Sequence, residues 1–314
     1  MCARRGLTPE AYRRITSLAL AALAVIIVSG AAVRLTGSGL GCTDWPNCRQ
    51  NRLVADLEFH PMVEFVNRVF TGVVSVAVIL AVLGSRLRRP RRGDLTWWSF
   101  GLVAGVLGQI ILGALVVVFE LSPWLVIGHF LTSMVLVWNA VVLHHRAGLP
   151  TDPHGHAVVG PRNVAPRLLA LIGLWFVGAI AVIFTGTIVT GSGPHGGDAK
   201  VERLPLLFAS AARVHGSTVM GFLALTLLIA WLLRQATAPR SLQVRMWQAI
   251  GVLVVQATIG YVQYFTKVPV VLVGFHIAGA TSLWIAVVRF ALATREPMAP
   301  DVRPAPHVAE VVHA

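Results

Sequence analysis

The chain has 314 residues, 56% of them hydrophobic and only 12% charged, with a formal net charge of +13, an isoelectric point near 11.3 and a mean hydropathy of +0.73. Soluble domains carry about 25% charged residues, so these values exclude an ordinary soluble enzyme and a disordered chain. They also undercut nucleic-acid binding as the meaning of the high isoelectric point, because the basic residues separate long uncharged runs.

A bilayer-spanning helix needs about 20 mostly apolar residues. In chain order, such runs cover 15–34, 60–84, 97–119, 124–145, 165–190, 207–233, 246–265 and 271–293. The first is too long, and lacks the small-residue cleavage pattern, for a simple removable signal peptide. Runs this long and continuous predict helices and not barrel strands, and in hydrocarbon the backbone must satisfy itself internally. The predicted fold is an all-α membrane protein of eight transmembrane helices.

Eight spans place both termini on one side. That side carries 18 basic residues, from Arg4, Arg5, Arg13 and Arg14 through Arg86, Arg88, Arg89, Arg91 and Arg92 to the later loops and the tail, against five opposite: Arg49, Arg52, Lys200, Arg203 and Lys267. The positive-inside rule puts both termini in the cytoplasm of a multi-pass cell-membrane protein.

The spans repeat. Thr36-Gly37-Ser38-Gly39 closes span 1 and Thr190-Gly191-Ser192-Gly193 closes span 5. From there the first histidine of the next span lies 24 residues on in one half (His60) and 25 in the other (His215). Gln109-x-x-x-Gly113 and Gln256-x-x-x-Gly260 each precede a further intramembrane histidine, His129 and His276, by 20 residues counted from the glutamine. Two tandem four-helix bundles follow, related by a pseudo-two-fold axis along the membrane normal. The boundaries are 1–145 for the N-terminal bundle, 146–164 for a cytoplasmic linker, 165–293 for the C-terminal bundle and 294–314 for a cytoplasmic tail.

Ionisable residues within spans are rare and functional by default. His60, His129, His215 and His276 all fall toward the outer face, two per bundle, on its second and fourth helices. Facing helices can aim two imidazoles at one metal. Paired neutral imidazoles suit haem iron, whereas zinc would be left with half its shell. Of the other histidines, His144, His145, His154, His156, His307 and His313 are expected to be solvated at the inner border or in tails, and His195 to be a bystander in an outer loop.

The halves differ at one carboxylate. His60-Pro-Met-Val-Glu64-Phe-Val-Asn67-Arg68 stands opposite His215-Gly-Ser-Thr-Val219, so Glu64 is matched by Val219. Glu64 sits one turn from His60 on the same helix face. Two readings stand: a general base or cation-stabilising group beside whatever His60 binds, or an i,i+4 ion pair with Arg68. Arg34 and Arg213 would pair with haem propionates or snorkel to the interface, and Arg68 stands with them as a propionate or structural residue. Cys42 and Cys48 face an oxidising compartment, which permits a disulfide, either as a staple or as a redox pair. Cys2 lies on the inner side as an incidental thiol.

These residues together resemble the haem A synthase (CtaA) family of membrane haem-modifying enzymes. The resemblance rests on Arg34-Leu-Thr-Gly-Ser-Gly-Leu-Gly-Cys-x-x-Trp-Pro-x-Cys48, His60-x-x-x-Glu64-x-x-Asn67-Arg68, Gln109-x-x-x-Gly113, His129, His215 and His276. It implies oxidation of the C8 methyl of haem O to a formyl group, by two hydroxylations that take oxygen from water. It implies a haem b cofactor on His215 and His276, and haem O, later haem A, between His60 and His129. Glu64 would then stabilise a cation at the methyl carbon or position water, and Cys42 and Cys48 would form a disulfide near the substrate. The implied partners are membrane lipid, haem O synthase upstream and cytochrome c oxidase assembly factors downstream. Family members are often described as oligomeric, so a second copy is an open partner; no nucleic acid is expected. The competing reading is a dihaem membrane cytochrome that needs the four histidines but not Glu64. A haem transporter would need a polar path between both faces.

Overall fold

A computed structural model describes residues 6–42, 44–48, 52–198 and 200–295. Arg4, Arg5, Cys2, Arg49, His307, His313 and most of the expected tail lie outside the described residues. The eight expected spans are helices: α1 (Pro9–Leu35), α2 (Phe59–Leu87), α3 (Gly93–Val118), α4 (Pro123–Ala147), α5 (Pro166–Ser192), α6 (Phe208–Gln235), α7 (Arg240–Phe265) and α8 (Val270–Leu292). All eight are long and apolar enough to cross a membrane. At about 1.5 Å per residue, the shortest exceeds the roughly 30 Å of a bilayer core. No strand occurs among the described residues.

The helix starts are written locally. Thr8 caps α1, its hydroxyl accepting from the Ala11 N–H at 3.2 Å, and proline begins α1, α4 and α5, where a missing N–H costs nothing. The turns after α3 and α7 are the same turn. Glu120 and Leu121 in one, Lys267 and Val268 in the other, take positive φ, and the Leu121 and Val268 N–H groups donate to Val116 and Gln263 carbonyls at 2.8 and 2.7 Å.

Each helix keeps a fixed set of neighbours. α1, α2, α3 and α4 pack in a ring, and so do α5, α6, α7 and α8. Between the rings, α4 packs on α5 and α8, and α1 packs on α8. Small residues let the helices close up where apolar lipid offers no drive to associate. Ala77, Ala81 and Gly84 form a buried stripe on α2, and Tyr12 of α1 lies over Gly84. The Trp284 indole N–H donates to the Met134 carbonyl at 2.8 Å, joining α8 to α4.

The arginine-rich end of the helices is more than a row of surface charges. Arg92 is buried, its guanidinium paired with Asp94 at 2.7 Å and donating to the Arg146 and Leu149 carbonyls. Arg88 is buried as well, reaching the Pro90 carbonyl and the Thr151 hydroxyl. His144 and His145 correct the expectation of solvated side chains. Both are half-buried, and His144 Nδ1 lies 3.1 Å from the Thr16 hydroxyl, because the last turn of α4 packs on the first turns of α1. His154 and His156 are exposed, as expected.

Candidate functional site

One cavity of about 1460 Å³ reaches into both helix rings. Its walls include Glu64 and His129 from the first half and His215 and His276 from the second. The Gln-x-x-x-Gly repeats explain how two of those imidazoles are held. Gln109 Nε2 donates to the His129 carbonyl at 3.1 Å, and Gln256 Nε2 to the His276 carbonyl at 2.9 Å. One turn on, Gly113 and Gly260 leave room for the imidazoles: a Cβ there would stand 3.6 Å from His129 Cε1 and 3.3 Å from His276 Cε1. The glutamine fixes the backbone and the glycine admits the ring.

In the second half the two imidazoles converge. Their centroids are 6.5 Å apart and their planes nearly perpendicular, at 87°. That separation leaves room for one metal ion between the two rings, which His215 and His276 would hold. Thr185 on α5 meets His215 Nδ1 at 3.0 Å, which leaves Nε2 for the cavity. His276 Nδ1 is buried with no hydrogen-bond partner among the described residues, as is His129 Nδ1. Buried polar atoms are normally satisfied, so such orphans point to a ligand. Among the described residues no three His, Cys, Asp or Glu side chains gather as a metal cluster. Two imidazoles in a large apolar cavity fit a haem.

The first half is arranged differently. His129 lines the cavity, but His60 does not. His60 is exposed at the outer end of α2, with its Nδ1 3.0 Å from the Ser38 hydroxyl and its ring edge-on to Phe59 at 5.2 Å. The reason lies in the helix starts. α6 begins seven residues before His215, whereas α2 begins one residue before His60. A loop carrying the cysteines takes the place of those first turns. So the structure brings His215 and His276 together and leaves His60 apart from His129.

That loop is tied to Glu64. Cys42 and Cys48 are joined in a disulfide, and both are buried. The Cys42 N–H donates to Glu64 Oε2 at 2.8 Å, while Arg68 grips Oε1 through Nε at 3.1 Å and Nη2 at 2.5 Å. Arg68 Nη1 also donates to the Asp44 and Asn47 carbonyls, each at 3.1 Å. The ion pair expected from the spacing is present, and it secures the loop as well as the helix. Glu64 is 5% exposed and still borders the cavity. Asn67 borders it too, accepting from Ser29 Oγ at 2.8 Å.

Arg34 and Arg213 both reach the cavity wall but differ in their partners. Arg213 is exposed and, among the described residues, bonds within its own helix, to Ala209 and Ser210. Arg34, on α1, donates from Nη2 to the Thr190 carbonyl of α5 at 2.9 Å, and its Nε is buried without a partner among the described residues. The sequence reading missed Arg203 and undervalued His195, both on the cavity wall. His195 Nε2 meets the Val268 carbonyl at 2.8 Å, and Arg203 donates to the Pro194 carbonyl at 2.7 Å. The signal available was the glycine-dense stretch Gly191-Ser-Gly-Pro-His-Gly-Gly197, which is longer than its first-half counterpart.

Residues 13–195 match the family model described as COX15-CtaA, cytochrome oxidase assembly protein. Among curated proteins, a heme A synthase from Halalkalibacterium halodurans is similar, 26% identical over 261 residues, covering 80% of this chain and 84% of that protein. A heme A synthase from Exiguobacterium sibiricum is 30% identical over 120 residues, 38% of this chain and 40% of the relative. One from Geobacillus thermodenitrificans is 31% identical over 106 residues, a third of each chain.

Proposed function

The chain belongs to the COX15-CtaA family of cytochrome oxidase assembly proteins, and from that premise we propose that it is a haem A synthase, oxidising the C8 methyl of haem O to a formyl group. In this reading residues 1–145 form the substrate bundle and 165–293 the cofactor bundle, joined by 146–164, with 294–314 as a cytoplasmic tail. The two rings of helix neighbours and the shared turn after α3 and α7 support that division. Both termini are cytoplasmic and the haem sites face outward in the cell membrane, on the charge asymmetry of the loops.

The observation that carries the proposal is the convergence of His215 and His276 in a cavity that also borders one carboxylate, Glu64. His215 and His276 hold haem b, which when bound supplies a one-electron couple. His129, on the cavity wall, serves the substrate haem O, and His60, which lies off that wall at the start of α2, is the second residue assigned to it. Each of two hydroxylations draws its oxygen from water and gives up two protons and two electrons, the electrons leaving to a one-electron oxidant outside this chain; the resulting geminal diol loses water to give the formyl group. Arg68 and the Cys42 N–H hold Glu64 against the cavity as an acceptor with fixed orientation. A carboxylate so placed stabilises positive charge developing at the methyl carbon, or holds the attacking water. Arg68 serves Glu64 and the loop. Haem O synthase would deliver the greasy substrate within the membrane, and cytochrome c oxidase assembly factors would take the product.

We expect Glu64→Ala to retain the second-half haem spectrum while haem O accumulates in place of haem A. Chromatography of haems extracted from cells expressing the variant reads this directly, and normal haem A would remove Glu64 from the chemistry. One observation favours the runner-up, a dihaem cytochrome: both Glu64 oxygens are already engaged by Arg68 and Cys42. That protein would carry two haems b and give no haem A in the wild type.

A further inference from the structure

Among the described residues, six formally charged side chains border the cavity: Arg34, Glu64, Arg68, Glu202, Arg203 and Arg213. Glu64 and Arg68 neutralise one another on the first-half side. The other four, Arg34 from α1, Glu202 and Arg203 from the loop after α5 and Arg213 from α6, leave an excess of two positive charges on the cavity wall. Among the described residues none of Arg34, Arg203 and Arg213 forms an ion pair. Arg34 and Arg203 flank the same loop, Arg34 against Gly197 and Arg203 against Gly196. Holding unpaired cations at an apolar cavity is costly unless an anion completes them.

The backbone is shaped to hold them there. Gly197, at φ +107°, lies over Arg34, with the site of its missing Cβ 3.5 Å from Arg34 Cγ. The Gly39 N–H donates to the Gly197 carbonyl at 3.0 Å, so the loop after α5 is bonded to the segment after α1. The Arg203 guanidinium occupies the space a side chain at Gly196 would need. His195 pins the same loop to the turn after α7 through the Val268 carbonyl. Arg34 itself crosses from a first-half helix to the Thr190 carbonyl of the second half, and its buried Nε remains unsatisfied.

We propose that this mouth, made by Arg34 with Arg203 and Arg213, is the carboxylate-binding end of the second-half site and takes the two propionates of the haem held by His215 and His276. The proposal rests on the reading of those histidines as haem ligands. Two carboxylates match the excess charge, and guanidinium groups are suited to them. It also separates the two haems by electrostatics. The second-half haem is gripped at its propionates and stays, whereas the first-half haem meets an arginine already neutralised by Glu64 and can exchange. Because Arg34 belongs to α1, loading the second half also fastens the first half to it. A phospholipid headgroup offers an anion of similar chemistry, so the test separates the two.

The full-length protein, loaded with haem b or with haem b dimethyl ester, is mixed in detergent with excess apomyoglobin, and haem release is followed by absorbance. We expect the ester to leave the wild type about tenfold faster than the free acid, or more. Arg34→Gln and Arg203→Gln should each speed release of the free acid by about tenfold and leave the ester rate unchanged, with Arg34→Lys in between. Equal acceleration of acid and ester would make Arg34 a helix staple only. Equal rates for acid and ester in the wild type would assign the mouth to another anion, such as lipid phosphate. Arg203→Gln, in a loop, carries the test if Arg34→Gln fails to fold. An unchanged haem spectrum in His276→Ala would instead overturn the ligand assignment beneath the proposal.

Discussion

A histidine offered to a ligand must be held by something else, and here the neighbouring helix supplies the hold. Gln256 fixes the His276 backbone, Gly260 gives its ring space, and Thr185 sets the His215 ring. We expect Gly260→Leu to push His276 aside and weaken haem binding by about 1–3 kcal/mol, the cost of overfilling a packed site. Gly251, on the same helix, is the control: a Cβ there would meet nothing within 4 Å, and Gly251→Ala should bind normally. The Soret absorbance per protein reads both. The glutamines and glycines were visible in the sequence only as markers of a repeat. Their work depends on a facing helix, which spacing along one chain does not reveal. Arg34 was harder still, because a long side chain at a helix end can point into either half.

At the level of elements, the two halves part where α2 and α6 begin. The spans themselves could be read from hydropathy because length and apolarity alone suffice to cross a bilayer. So could the late start of α2, because the apolar run opens at His60 there but eight residues before His215 in α6; hydropathy did not reveal that the cysteine loop is bonded to Glu64. That loop sets the position of Glu64 and exposes His60, so the asymmetry seen in one residue is an asymmetry of architecture. Closing so short a loop is worth about 2 kcal/mol by chain entropy. We expect Cys42→Ser with Cys48→Ser to lower stability by about that amount and to abolish haem A formation. The second-half haem spectrum should stay unchanged, because among the described residues the loop makes no hydrogen bond to His215 or His276. Thermal unfolding followed at the Soret band and by tryptophan emission separates the two effects; loss of the second-half spectrum would mean the loop supports the whole molecule.

For the whole molecule, the charge of +13 has two meanings. Most of it gathers on one side of the spans, which the sequence revealed and which carries the proposed orientation. Part of it is structural, which composition could not reveal: Arg92 is buried beneath the inner face with Asp94 and two carbonyls, and Arg34 spans the halves. We expect Arg92→Ala to cost about 3 kcal/mol, since it strips a buried network, while Arg91→Ala, at an exposed position, stays within about 0.5 kcal/mol of the wild type. Denaturation in detergent compares them. The proposed division into a resident-haem half and a substrate half is tested most directly by one measurement: the haems extracted from the purified wild-type protein, made in cells supplied with haem O. We expect one haem b per chain together with haem O and haem A. Two haems b per chain, with no haem A formed, would contradict it.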